Sequence, residues 1–306
     1  MAEISARVSA PLCVEVCGRR GVGMGTVASA LAGAGLEIGT AGDVTVLVVA
    51  EVLKPEDEAL LAELRRAGRP SVVVLNKADL AGSGPGGAVA TANRRARLLR
   101  KRAGVAVVPM VALLAVVQVL PPHLLDALRL LADEPADLTS VDAFVAGVHR
   151  VPPTVRAELL ERLDRFGIAH TTLALSRGTD AETLPGLWRG LSEVDRAVAA
   201  IDAAAAPARY RRVRWALAEL RAVGGPAVGR FLAADDTVIA VMAAAVDVVQ
   251  AEGLTVDPGD DRNAHLGRAR HWRHYRDGPV NALHRRCGDD IVRGSLRLLG
   301  TTGGRR

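Results

Sequence analysis

The chain has 306 residues, enough to bury a sizeable core in two units, and a formal charge of +5 carried almost wholly by its 36 arginines. Aromatic residues make up only 3 %, so the expected core is aliphatic and largely helical. Three cysteines (Cys13, Cys17, Cys287) exclude a disulfide framework and suit a reducing cytoplasm. Glu3 and Arg7 interrupt any signal-peptide apolar region. The longest apolar run, residues 105–120, holds Pro109 and Gln118 and is too short to span a bilayer.

Residues 12–17 read as a strand, followed by Gly18-Arg19-Arg20-Gly21-Val22-Gly23-Met24-Gly25-Thr26 and an alanine-rich helix. Strand, glycine-rich turn and helix is the context of a phosphate-binding loop, in which backbone N–H groups and a helix N-terminus surround phosphate. Gly18 and Gly23 have the spacing of the pattern GxxxxGK[ST], yet Met24 stands at its lysine and Gly25 at its magnesium-binding hydroxyl, with Thr26 one place late. The loop so loses its point charge on the β- and γ-phosphates, and the expected outcome is impaired hydrolysis. Arg19 or Arg20 is a partial substitute with a different reach.

The first helix ends near Gly33 to Gly35, and residues 44–50 form a continuous apolar run typical of a strand buried on both faces. Asp43 before it reads as a capping turn residue. Lys54-Pro55-Glu56-Asp57-Glu58 starts a helix with proline and acids in its first turn, and Ala67-Gly68 ends it.

The next apolar run, residues 71–75, leads into Asn76-Lys77-Ala78-Asp79. With three lysines, four asparagines and twenty aspartates in the chain, such an Asn-Lys-any-Asp string should arise by chance about 0.003 times. It falls at the C-terminal end of a buried strand, where open α/β sheets bind ligands. The Asp79 carboxylate suits the paired N1 and N2 protons of guanine, and the Lys77 stem suits the flat of the base. The alternative is an ordinary polar turn. Beyond it come a glycine-rich loop over residues 82–87, a basic helix over about residues 91–102, and the apolar stretch 105–113.

Together, CGRRGVGMGTVASAL, DVTVLVVAEVLKPEDEALLAEL, PSVVVLNKADL and VVPMVALLAV resemble the dynamin-like and Era-like branch of P-loop GTPases, especially the long dynamin-family GTPases of actinobacteria. The resemblance implies that Ala112 offers its N–H to the guanine oxygen, with Val111 in place of the usual serine. It implies a nucleotide site of Gly18, Arg20, Gly21, Gly23, Gly25, Thr26, Asn76, Lys77, Asp79 and Ala112, with no catalytic or protein metal ligand assigned. The expected ligand is GTP or GDP, with Mg2+ in doubt. Only 58 residues separate Gly18 from Asn76, so the switch segments that normally order on nucleotide binding have no room.

Past Pro121-Pro122 the periodicity turns helical. Residues 155–166 place Leu159, Leu160 and Leu163 on one face and Arg156, Glu158, Arg162 and Arg165 on the other. Residues 210–223 repeat the theme, and residues 237–250 are apolar almost all round, which predicts a central core helix. The tail from Asp261 carries eleven arginines and a His271-x-x-His274, His284-x-x-Cys287 spacing compatible with zinc. The competing reading is a solvated basic helix pair with Trp272 and Leu283 inward.

The expected fold is α/β: a truncated GTPase-like parallel sheet of about four strands over residues 1–120, then an all-α helical assembly domain over residues 121–306. The expected function is guanine-nucleotide binding with weak or no hydrolysis, as a pseudo-GTPase partner of an intact dynamin-like GTPase. The location expected is cytoplasmic, with the arginines available to an acidic membrane surface at its inner face and no specific nucleic acid. Two other readings stand beside it: an active GTPase completed in trans by a partner, and a nucleotide-free interaction scaffold.

Overall fold

The structure is a computed structural model that describes residues 4, 8, 10–82 and 84–303; Glu3, Arg7, Ser83, Arg305 and Arg306 lie outside the described residues. The described chain divides into two compact units, one spanning Leu12–Ile201 and the other running from Asp202 onward with the chain start. The sequence expectation set its break after Leu120, whereas the first unit continues through a further group of helices.

Five parallel strands build the sheet of the first unit, one more than expected: β1 (Cys13–Gly18), β2 (Glu37–Ile38), β3 (Val44–Ala50), β4 (Ser71–Asn76) and β5 (Val107–Pro109), in the order β2-β1-β3-β4-β5. The extra strand, β2, is two residues long, too short to leave a periodic signal. β3 and β4 are covered on both faces, which explains their unbroken apolar sequence. Asp43 caps the start of the sheet: its carboxylate accepts from the Cys13 N–H at 3.1 Å.

Helix α1 (Met24–Gly33) follows the glycine-rich loop. Helix α2 (Pro55–Arg66) starts at proline, and Asp57 accepts from the Lys54 N–H at 2.9 Å, closing the first turn. Helix α3 (Gly87–Ala103) begins earlier than its basic stretch suggested, and Gly104 ends it in the left-handed conformation. Leu47, Val49, Leu61, Val73, Leu75, Ala96 and Leu99 interlock between the sheet and these helices.

A second core in the same unit gathers α4 (Ala112–Ala115), α5 (Pro122–Asp133), α6 (Val141–Ala146), α7 (Pro153–Ser176) and α8 (Leu184–Ser192). Leu124, Leu128, Leu131, Phe144, Leu159, Leu163 and Trp188 fill it, together with Ala78 from the turn after β4. Arg156 departs from its assigned polar face. It is 1 % exposed, and its guanidinium donates to the carbonyls of Phe144 and Gly147. Those carbonyls end α6, so backbone acceptors rather than water meet the two terminal nitrogens, while Nε stays buried without a hydrogen-bond partner among the described residues. Helix α7 is kinked at Asp164, which has φ 51° and ψ 175°.

Helix α9 (Val194–Val223) contains Pro207, and the described chain ends with α10 (Pro226–Ala233), α11 (Asp235–Ala251), α12 (Arg262–Asp277) and α13 (Ala282–Gly303). In the second unit Tyr210, Val248, Val249, Trp272, Cys287 and Ile291 form the core. Helix α11 buries one face, Val238, Val241, Ala245, Val248 and Val249, rather than its whole circumference. Alanines on its outer side made the sequence look apolar all round. Among the described residues, no helix is long and apolar enough to cross a membrane.

Candidate functional site

All strands run the same way, so Gly18, Ala50, Asn76 and Pro109 end at one edge of the sheet. The loop after β1 lies where the strand order reverses, with β2 on one side of β1 and β3 on the other. Crevices at such switch points are where open α/β sheets bind ligands.

The loop is tightly folded. Gly21 and Gly23 have φ of 87° and 83°, which suits glycine. Gly18 lies so near β3 that a Cβ there would come within 2.6 Å of the Val48 carbonyl oxygen. Gly23 is the N-cap of α1 and brings no capping side chain, so the first N–H groups of the helix face the loop uncapped. Met24 is 42 % exposed at this mouth, and Arg20, Gly21 and Gly25 are exposed beside it. Thr26 is half-buried one turn in.

Asn76 organises the edge. It is 5 % exposed, its Nδ2 donates to the Val22 carbonyl at 2.9 Å, and its Oδ1 accepts from the Ala112 N–H at 3.1 Å. One carboxamide thereby ties the glycine-rich loop to the turn after β5. The Ala112 N–H, assigned by resemblance to a guanine oxygen, is directed at Asn76 in this structure. Two backbone bonds reinforce the arrangement: Ala78 N–H to Met110 O at 3.1 Å and Val111 N–H to Ser192 O at 3.0 Å.

Lys77 is exposed and adopts the left-handed conformation (φ 58°, ψ 41°), which turns the chain sharply out of β4. Asp79 follows in a short 3-10 turn, half-buried. Burial pushes its carboxyl above the usual carboxylate range, and the nearby Asp164 carboxylate adds to the shift; its own backbone N–H and Lys77 oppose it. The sequence-predicted residues therefore cluster at one edge: Gly18, Arg20, Gly21, Gly23, Gly25 and Thr26 in and after the loop, and Asn76, Lys77, Asp79 and Ala112 on the two adjoining turns.

Two participants, Glu51 and Asp164, escape the sequence reading, and so does the pairing that anchors Arg19, itself singled out there as a partial substitute for the loop lysine. Arg19, the first residue of the loop, places its Nε 3.2 Å from both carboxylate oxygens of Asp57, which is 3 % exposed. The acid at the third position of α2 was the legible sign of a cap, but its pairing with the loop spans 38 residues and left no local trace. Glu51 directly follows β3, exposed and at φ 65°. Its signal was an acid closing an apolar strand run. Asp164 had none, because a kink within a helical pattern is invisible to periodicity.

In the second unit, the residues with zinc-compatible spacing do not converge. His271 and His274 lie exposed on α12, whereas Cys287 is 0 % exposed on α13. His284 Nδ1 is hydrogen-bonded to the Tyr275 hydroxyl at 2.6 Å. Trp272 is buried and Leu283 packs against the same core, as a solvated basic helix pair would have them. Among the described residues no group of three His, Cys, Asp or Glu side chains could hold a metal ion. Burial pushes the Cys287 thiol up to about 12 and the Cys17 thiol up to about 11, which keeps both protonated and unreactive at neutral pH. Comparison of the chain with protein-family models, with curated proteins and with solved structures gave no match.

Proposed function

We propose that this chain binds a guanine nucleotide at the carboxyl edge of its sheet and hydrolyses it weakly or not at all, acting as a dynamin-like pseudo-GTPase. The observation that supports this best is the pair of hydrogen bonds made by the Asn76 carboxamide, which joins a glycine-rich loop to the Ala112 turn and leaves Asp79 beside it. That arrangement prepares one end of the crevice for a purine base with two adjacent N–H donors, a pattern guanine has and adenine lacks. The other end offers uncapped helix N–H groups for phosphate. Met24 and Gly25 leave the transition state of phosphoryl transfer without its usual lysine and hydroxyl. Exposed Met24 and Val52 at the same edge provide apolar surface for a protein partner, in keeping with a regulatory subunit of an intact GTPase.

Calorimetric titration of the purified protein with GTP, GDP and ATP, repeated on Asp79→Ala, tests the reading. Guanine-selective binding that disappears in Asp79→Ala supports it. Equal affinity for ATP, or guanine binding indifferent to Asp79, removes it.

A further inference from the structure

We propose that the nucleotide binds without a divalent metal, and that Arg19, held in place by Asp57, supplies the fixed positive charge at the phosphate end. This rests on the guanine reading above and names the form of ligand the site accepts.

A magnesium ion shared with phosphates needs oxygen donors from the protein, usually a hydroxyl and a carboxylate. The hydroxyl position is Gly25. One carboxylate, that of Asp57, is tied to the loop through the fold, and it is engaged. Asp57 accepts from Arg19 Nε at 3.2 Å on each oxygen and from the Lys54 N–H at 2.9 Å. Glu51 remains, exposed on a strained residue after β3. The donor set does not fit a protein-held magnesium ion.

Arg19 fits the vacated electrostatic role. It opens the loop, immediately after Gly18, and it is gripped through Nε by a carboxylate that is itself buried and anchored. A guanidinium held by Nε keeps its two terminal nitrogens for another partner, and these form a rigid fork suited to phosphate oxygens. Asp57 is a positioning residue here: it orients the arginine and its charge is already balanced. Arg20, by contrast, is exposed and has no such anchor in the described structure.

The test compares GDP with guanosine, which shares the base and lacks the phosphates, by calorimetry in excess magnesium and in EDTA. The full chain is used as wild type, Arg19→Gln, Arg19→Lys and Glu51→Gln, with circular dichroism to verify folding. GDP affinity should change less than about twofold between magnesium and EDTA. In Arg19→Gln the ratio of GDP to guanosine affinity should fall roughly tenfold, the size expected for a lost charge-assisted hydrogen bond, and Arg19→Lys should recover part of it. Should Arg19→Gln not fold, the wild-type metal comparison and Arg19→Lys decide. A tenfold or greater loss of GDP affinity in EDTA overturns the proposal, and abolition of that dependence by Glu51→Gln would place an ion on Glu51 instead. An unchanged ratio in Arg19→Gln overturns the role of Arg19. In both cases guanosine binding survives, so the guanine reading stands. Failure of guanosine and GDP alike to bind the wild type removes both.

Discussion

A Cβ added at Gly23 would come within 2.5 Å of Nδ2 of Asn76, so the loop and the carboxamide fit only because position 23 carries no side chain. Gly23→Ala should therefore force Asn76 off the Val22 carbonyl while also straining a residue at φ 83°. A loss of about 1–3 kcal/mol is expected. Asn76→Ala should cost about 2–3 kcal/mol, because it strands the buried Val22 carbonyl and Ala112 N–H. Urea unfolding checks both, with the two compact units followed separately since they need not melt together. A change under half a kcal/mol in Asn76→Ala would show that the two turns hold each other without it.

Guanine binding should weaken on acidification earlier than for an ordinary aspartate. In the proposed reading Asp79 accepts from two N–H donors only as a carboxylate, and burial together with Asp164 raises its pKa in the free protein. Affinity is thus full well above that raised value and falls as pH drops through it. Asp164→Asn removes one of the raising causes, so the fall should move to lower pH. Titrations of GDP binding against pH for the two proteins measure this, and coincident curves would mean that Asp164 has no influence on Asp79.

Asp164 sits at φ 51° and ψ 175°, a region populated almost only by glycine. Asp164→Gly should raise stability by about 1 kcal/mol, net of the lost bond from the Arg165 N–H to its carboxylate. Thermal melts of the two proteins provide the comparison, and a lower melting temperature in the glycine variant would show that the side chain contributes more than the strain costs.

In the second unit, the Tyr210 hydroxyl donates to Asp290 at 2.6 Å, and Arg214 approaches the same carboxylate at 3.2 Å. Burial and the Asp290 carboxylate hold the phenol above its ordinary range. Tyr210→Phe should destabilise this unit by about 1–2 kcal/mol, since the buried carboxylate loses a donor. Cys287 is the natural reporter. Fully buried and protonated, it should resist alkylation in the native protein and react faster in Tyr210→Phe in proportion to the added opening. Rapid labelling of native wild-type Cys287 would contradict the burial.

The strands β1, β3 and β4 and the starts of α1 and α2 were legible because their causes are local: continuous apolar runs, glycine after a strand, proline and acids at a helix start. Asn76, Lys77 and Asp79 could be singled out for the same reason, as a rare string at a strand end. Arg156 was misassigned because periodicity gives it a polar neighbourhood, while its acceptors are carbonyls of another helix. Helix α11 misled in the opposite sense, since alanine reads as apolar whether it is buried or not.

By itself, the sequence determined an alternating strand–helix segment, a glycine-rich loop between a strand and a helix, and the rare string Asn76-Lys77-Ala78-Asp79 ending another strand. Only the tertiary structure decided what those pieces do to one another. Asn76 spans the loop and the Ala112 turn, Asp57 grips Arg19, and Asp164 faces Asp79 from a kink in α7. The physical reason is range. Backbone propensity and hydrophobic period act over a few residues, whereas a hydrogen bond or a Coulomb interaction depends on distance in space, and these partners are 36 to 85 positions apart along the chain.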